Sequence, residues 1–115
     1  RLAARVRLAT QSGPMLVRRG ALARPFDAAS RSRLVRNGVG VRADGTVVFA
    51  IADDGVSFHQ FAVAFRDALA CEDALFLDGT ISQLYAGPGT RMPGRGREFA
   101  AIFAVTESAP RATDR

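Results

Sequence analysis

Apolar residues along this chain fall into short bursts, each closed by glycine, proline or small polar residues, and only one stretch repeats them at helical spacing. Met15-Leu16-Val17 follows the turn signal Ser12-Gly13-Pro14, and Gly20 allows a tight return into Ala21 and Leu22, which predicts a short hairpin. Asp27 to Arg33 is small and polar and reads as a surface loop. Val39-Gly40-Val41 and Val47-Val48-Phe49-Ala50-Ile51 flank Asp44-Gly45, a pair suited to the positive φ angles of a type I′ turn, so a second hairpin is predicted there. The run Val47 to Ala52 is apolar throughout, which places its strand in the sheet interior, covered on both faces.

The helical stretch opens at Ser57, with Gln60 three residues on as a capping box. Phe58, Phe61, Phe65 and Leu69 recur at spacings of three and four beside Ala62 and Ala68, so one amphipathic helix is predicted over about residues 57–71, its apolar stripe packed on a sheet. Ala74-Leu75-Phe76-Leu77 then reads as a short buried strand ending at Asp78-Gly79, and Ser82 to Tyr85 as a further short strand. Gly87 to Gly96, with Pro88, Pro93, Arg91 and Arg95, reads as a mobile loop, followed by an apolar closing strand from Phe99 to Val105. Strand pairs, one helix and more strands give an α+β class with a mixed, largely antiparallel sheet. One unit is expected over residues 6–105, and residues 106–115 as a frayed tail.

Composition narrows the function classes. The chain has 115 residues, 48% apolar and 23% charged, the size of one ordinary domain and too apolar to be disordered throughout. No apolar run approaches the ~20 residues of a membrane-spanning helix. Cys71 stands alone, which excludes an intrachain disulfide but leaves the compartment open. All 16 basic residues are arginine, and against 11 acids they leave a net charge of +5, which favours anionic partners. They are scattered from Arg1 to Arg115 without a basic helix interleaved with aromatics, so no nucleic-acid partner is expected. The chain begins without methionine and enters an apolar pattern at once, at Leu2, Val6 and Leu8, so it reads as a piece of something longer.

His59 and Cys71 are the chain's only soft metal ligands, so neither a metal nor a cofactor is expected. Cys71 falls at the C-terminus of the predicted helix near Glu72 and Asp73, where dipole and neighbours raise its pKa, and it reads as a small buried residue. His59, in the first helical turn, reads as a surface residue. Three segments set polar side chains among glycines beside strands: Gln11-Ser12-Gly13-Pro14, Arg36-Asn37-Gly38-Val39-Gly40, and Leu77-Asp78-Gly79-Thr80-Ile81-Ser82.

In this order the segments resemble the phosphodiester glycosidase domain family, in a bacterial branch. Its pattern has a Gly-Pro-x-Leu-Val strand, matched by Gly13 to Val17, then Arg-x-x-x-Gly before a hairpin, matched by Arg36 to Gly40. A variable Asp-Gly follows, here Asp54-Gly55, then a helix, here from Phe58, and then Leu-Asp-Gly-Gly-x-Ser, which Leu77 to Ser82 matches except that Thr80 stands at the second glycine. The resemblance runs from about Ala9 to Val105. It implies hydrolysis of a sugar linked through phosphate, a sugar phosphodiester or glycoconjugate as substrate, a periplasmic or secreted location, and a domain that begins upstream of Arg1.

The chemistry of the residues fits that implication. Arg36 offers a planar fork for two phosphate oxygens and is expected as the phosphate clamp. Gly13, Gly38 and Gly79 are expected to let backbone N–H groups approach an anion or sugar hydroxyls, with Gln11, Ser12, Asn37, Thr80 and Ser82 as hydrogen-bonding partners. Asp78 is the carboxylate expected to act at the anomeric carbon as base, nucleophile or stabiliser of an oxocarbenium-like state. Asp53 and Asp54 precede the helix and are read as favourable partners of its dipole rather than as second acids. A binding module using the same site without turnover, and an inactive fragment of the enzyme, stay open as rival readings.

Overall fold

Two hairpins and one long strand build a five-stranded sheet in the computed structural model, which describes residue 6, residues 8–90 and residues 102–107. β1 (Met15–Arg18) turns into β2 (Ala21–Leu22) through Arg19 and Gly20, both at positive φ (+51° and +75°), the pair of left-handed residues that a tight hairpin needs. β3 (Asn37–Arg42) and β4 (Val47–Ile51) form the second hairpin, but its turn differs from the predicted type I′. Arg42 and Thr46 still pair, with Arg42 N donating to Thr46 O at 2.9 Å. Three residues therefore connect the strands, and of these only Gly45 takes positive φ (+84°). The Asp44 carboxylate caps the turn by accepting from Thr46 N at 2.8 Å.

β5 (Cys71–Asp78) lies between the hairpins, giving the order β2-β1-β5-β3-β4 with every pairing antiparallel. The class is α+β, as expected. β5 is longer than the four residues anticipated, because its start at Cys71 pairs with Arg42 although Glu72 and Asp73 face solvent. β4 is an outer strand of the described sheet rather than an interior one. Its Val48 and Ala50 pack on the core, while Val47 and Phe49 on the opposite face remain 55% and 39% exposed.

Ser57 starts the helix as anticipated: its Oγ accepts from Gln60 N at 3.1 Å, and its own N–H donates to Gln60 Oε1 at 3.1 Å. α1 (Phe58–Val63) continues into a π-helical stretch, Ala64–Ala68, closed by Leu69 N donating to Ala64 O at 3.0 Å. The helix stops short of residue 71 because Ala70 turns left-handed (φ +53°), the role that glycine commonly fills after a helix. Cys71 consequently belongs to β5, not to the helix C-terminus.

The helix packs on one face of the sheet, around Leu16, Val17, Phe61, Ala62, Phe65, Cys71 and Ala74. The two glycines of β3 make room for it. A Cβ on Gly38 would stand 2.8 Å from Leu75 O and 3.1 Å from the Phe65 ring, and one on Gly40 would stand 2.5 Å from Cys71 Sγ. Phe65, fully buried in this gap, contributes about 2–3 kcal/mol by leaving water.

Ser82 to Tyr85, expected as a strand, forms none: Ser82 is buried, while Leu84 and Tyr85 are exposed without ladder partners. Of the expected closing strand, 99–101 lie outside the described residues, and 102–105 run without strand pairing, with the Phe103 ring 6.1 Å from that of Phe49. Of the expected loop, Gly87 to Thr90 form a turn in which Thr90 N donates to Gly87 O at 3.2 Å, and 91–96 lie outside the described residues. Among the described residues no helix is long and apolar enough to cross a membrane.

Candidate functional site

Asp78 is the last residue of β5 and sits opposite Asn37, the first of β3. Beyond it the chain bends sharply, and the carboxylate organises the bend: Oδ2 accepts from Ile81 N at 2.9 Å and Oδ1 from Thr80 N at 3.3 Å. Partial burial alone would raise this carboxyl, but the N–H groups of Ile81, Gly79 and Thr80 outweigh it and hold the pKa below the usual carboxylate value. Asp78 is therefore ionised at neutral pH.

Three more of the expected residues gather around it. Asn37 Nδ2 donates to Ser82 Oγ at 2.8 Å, and Ser82 Oγ donates to the Asp78 carbonyl at 3.3 Å. From the other side, Ser12 Oγ donates to Leu77 O at 3.1 Å, bringing the segment before β1 to the same end of the sheet. Ser82 is 6% exposed, so this network is the floor of the site rather than its rim. Thr80, in the Asp78 bend, and Gln11, next to Ser12 in the chain, are exposed, and Gly13 has open space where a side chain would be.

Arg36 enters just before β3 on the helix side of the sheet and is 1% exposed. Its Nε donates to Val56 O at 2.9 Å, and Nη2 reaches Ser32 O at 3.5 Å and Ser32 Oγ at 3.4 Å. The guanidinium carbon stands 3.8 Å from the centroid of the Phe58 ring and 5.6 Å from that of Phe76, and the Phe26 ring stacks with Phe58 at a centroid distance of 5.8 Å. No carboxylate pairs with Arg36 among the described residues. Burial lowers its pKa, yet an arginine keeps its proton, so a positive charge is held in a low-dielectric surrounding. The two-pronged fork expected for phosphate is turned inward: Nε and Nη2 are engaged, and Nη1 is the guanidinium nitrogen without a hydrogen bond among the described residues.

Arg36 and the Asp78 bend are neighbours. A Cβ built on the buried Gly79 would lie 3.5 Å from Arg36 Cγ and 3.4 Å from both Leu34 Cδ1 and the Phe76 ring, ordinary contact distances. Gly38 serves differently from the expectation: its missing side chain admits Phe61 and Phe65, so the close approach is to the helix and not to a ligand. Asp53 and Asp54 stand in the exposed turn before α1, outside the network, with Asp54 Oδ1 accepting from Gly55 N at 2.7 Å. Among the described residues no three His, Cys, Asp or Glu side chains cluster to hold a metal ion.

The residues that sequence reasoning missed are those around Arg36: Ser32, Val56, Phe58, Phe76 and Phe26. Phe58 and Phe76 were assigned only to core packing. The bridge between Leu34 and Val56, which closes this shelter, joins positions too far apart in sequence to leave a local signal.

The sequence profile of the phosphodiester glycosidase family matches residues 2–106. The chain is also 34% identical over 100 residues to the uncharacterized protein YigE of Escherichia coli (strain K12), an alignment covering 87% of this chain. It spans 39% of the length of that relative. No solved structure matches the chain significantly. With the profile running through all three strand-end segments that meet around Asp78 and Arg36, the chain belongs to the phosphodiester glycosidase family.

Proposed function

We propose that the protein hydrolyses the glycosidic bond of a sugar-1-phosphodiester, releasing a free sugar and a phosphate monoester. The observation that carries this reading is the buried Arg36 cation, without an acid partner among the described residues, set against the bend that holds an ionised Asp78. An uncompensated positive charge beside a carboxylate suits a substrate with a fixed negative charge one bond away from an electrophilic carbon.

Ordinary glycosidases need a second carboxyl group to protonate the leaving oxygen. A departing phosphate monoester has a second pKa of about 6, so it leaves with little protonation. One carboxylate then suffices: Asp78 acts at the anomeric carbon as base, nucleophile or stabiliser of positive charge, water supplies the new oxygen, and Arg36 favours the negative charge that grows on phosphate. Ser12, Asn37 and Ser82 hold the floor on which the sugar rests, with Gln11 and Thr80 at its rim. A periplasmic or secreted location belongs to the same reading.

A second reading rests on one feature, that both Asp78 oxygens already accept backbone N–H groups. A carboxylate so committed suits a carbohydrate- or anionic-polymer-binding module without turnover. Release of free sugar from a panel of sugar-1-phosphodiesters by the protein at its full natural length decides between the two. Turnover that Asp78→Asn abolishes while substrate binding persists supports the hydrolase; binding without turnover in the unaltered protein supports the module.

A further inference from the structure

A groove of about 380 Å³ lies between β4 and the helix, lined by neither Asp78 nor Arg36. Ala50 and Ala52 form one wall, Ala64 and Ala68 the other, with Phe65 at the base and Asp53 and Asp54 at one end. The alanines keep the walls low, and Ala64 and Ala68, four residues apart, lie on one side of the helix. Beside the groove runs β4, which among the described residues pairs with β3 alone and leaves its other edge unpaired. The other end of the sheet is blunted, because β2 is only two residues long. At the mouth, Asp53 and Asp54 are exposed and neither has a cationic partner among the described residues.

We infer that this edge and groove take up an extended segment of a partner polypeptide that alternates apolar and basic residues, added beside β4 as a further strand. The backbone of the segment pairs with the free edge, its apolar side chains fill the space between Ala50 and Ala68, and a basic residue reaches Asp53 and Asp54. Charge favours such a partner over a second copy of this chain. Symmetric antiparallel pairing of two β4 strands about Phe49 would bring Asp44 of one copy to Asp54 of the other, acid against acid. The inference is independent of the hydrolase reading, since it uses neither Asp78 nor the Arg36 guanidinium; the groove meets that site only at the backbones of Ala52 and Val56.

The probe is a fluorescent synthetic eight-residue peptide alternating valine and arginine, titrated into the chain and followed by anisotropy, with a valine–glutamate peptide as control. The chain carries a net charge of +5, so indiscriminate electrostatic attraction would favour the glutamate peptide. The expected result is preference for the arginine peptide, about fivefold weaker binding after joint Asp53→Asn and Asp54→Asn substitution, and slowed hydrogen exchange at β4 amides in the complex. Ala68→Phe, at an exposed helix position, fills the groove from within and is expected to abolish uptake while the circular dichroism spectrum stays unchanged. Equal binding of both peptides, or uptake untouched by Ala68→Phe, overturns the inference. So does sedimentation equilibrium showing a dimer whose β4 amides are already protected without peptide, because a second copy then holds the edge.

Discussion

Asn37 and Asp78 face each other as paired residues at the ends of β3 and β5, and Ser82 bonds to both, accepting from the Asn37 amide and donating to the Asp78 carbonyl. The carboxylate of Asp78 is left to the bend that follows, so one residue closes a strand, shapes a turn and presents a charge.

Asp78→Asn keeps the shape but replaces one acceptor by a donor facing the Thr80 or Ile81 N–H, and is expected to cost about 1 kcal/mol of stability. The pH dependence has a definite sign. Because the folded pKa lies below the unfolded value of about 3.9, the contribution of the carboxylate is fully present above that value and is lost as pH falls through the folded pKa. Urea unfolding of both proteins should show a constant gap at pH 6–7 that closes below about pH 4.

Gly38→Ala should lower stability by about 1–3 kcal/mol, since the added methyl meets the backbone oxygen of Leu75, which cannot swing aside. Gly45→Ala should cost about 1 kcal/mol for another reason, its positive φ, with empty space around it. Thermal melts of the two variants combined with Phe65→Leu separate the causes: loosening the helix contact relieves part of the Gly38→Ala loss and none of the Gly45→Ala loss.

Ser57→Ala removes the acceptor for Gln60 N and should destabilise the chain by about 1 kcal/mol, whereas Ser57→Asp should retain most of that stability. Helical circular dichroism followed through a denaturant titration checks both.

Arg36→Lys keeps the charge but cannot lie flat on Phe58 or reach Val56 O and Ser32 together. A loss of about 2 kcal/mol in chemical denaturation is expected, together with weaker binding of any phosphodiester substrate.

Burial pushes the Cys71 thiol above its ordinary pKa, and the pull of nearby Arg42 only partly opposes this. A thiol reagent at pH 8 should therefore label the native chain at least about tenfold more slowly than the unfolded chain.

The sequence carried those parts of the fold whose causes are local. The capping box at Ser57 and Gln60, the aromatic stripe of the helix and the two hairpins all depend on neighbours within a few residues. What escaped has distant causes. The helix end depends on Ala70 accepting a left-handed backbone, for which alanine gives no cue. The exposure of β4 depends on what pairs with it, and the second turn gained a residue because Arg42 and Thr46 pair. In the site, the Asp78 bend follows from an Asp-Gly pair after an apolar run, so it was legible. The inward turn of Arg36 was not, because Ser32, Val56 and Phe58 come to it from three separate segments.

The placement of β5 between two hairpins sets the order in which the molecule can be made. Each hairpin closes over a few residues, but β1 meets β5 across more than fifty, and within the described sheet the hairpins pair with that strand and not with each other. Long loops close slowly and gain nothing until they do. The sheet, the helix bed and the Asp78 bend therefore come into being together, when β5 slides between the two hairpins.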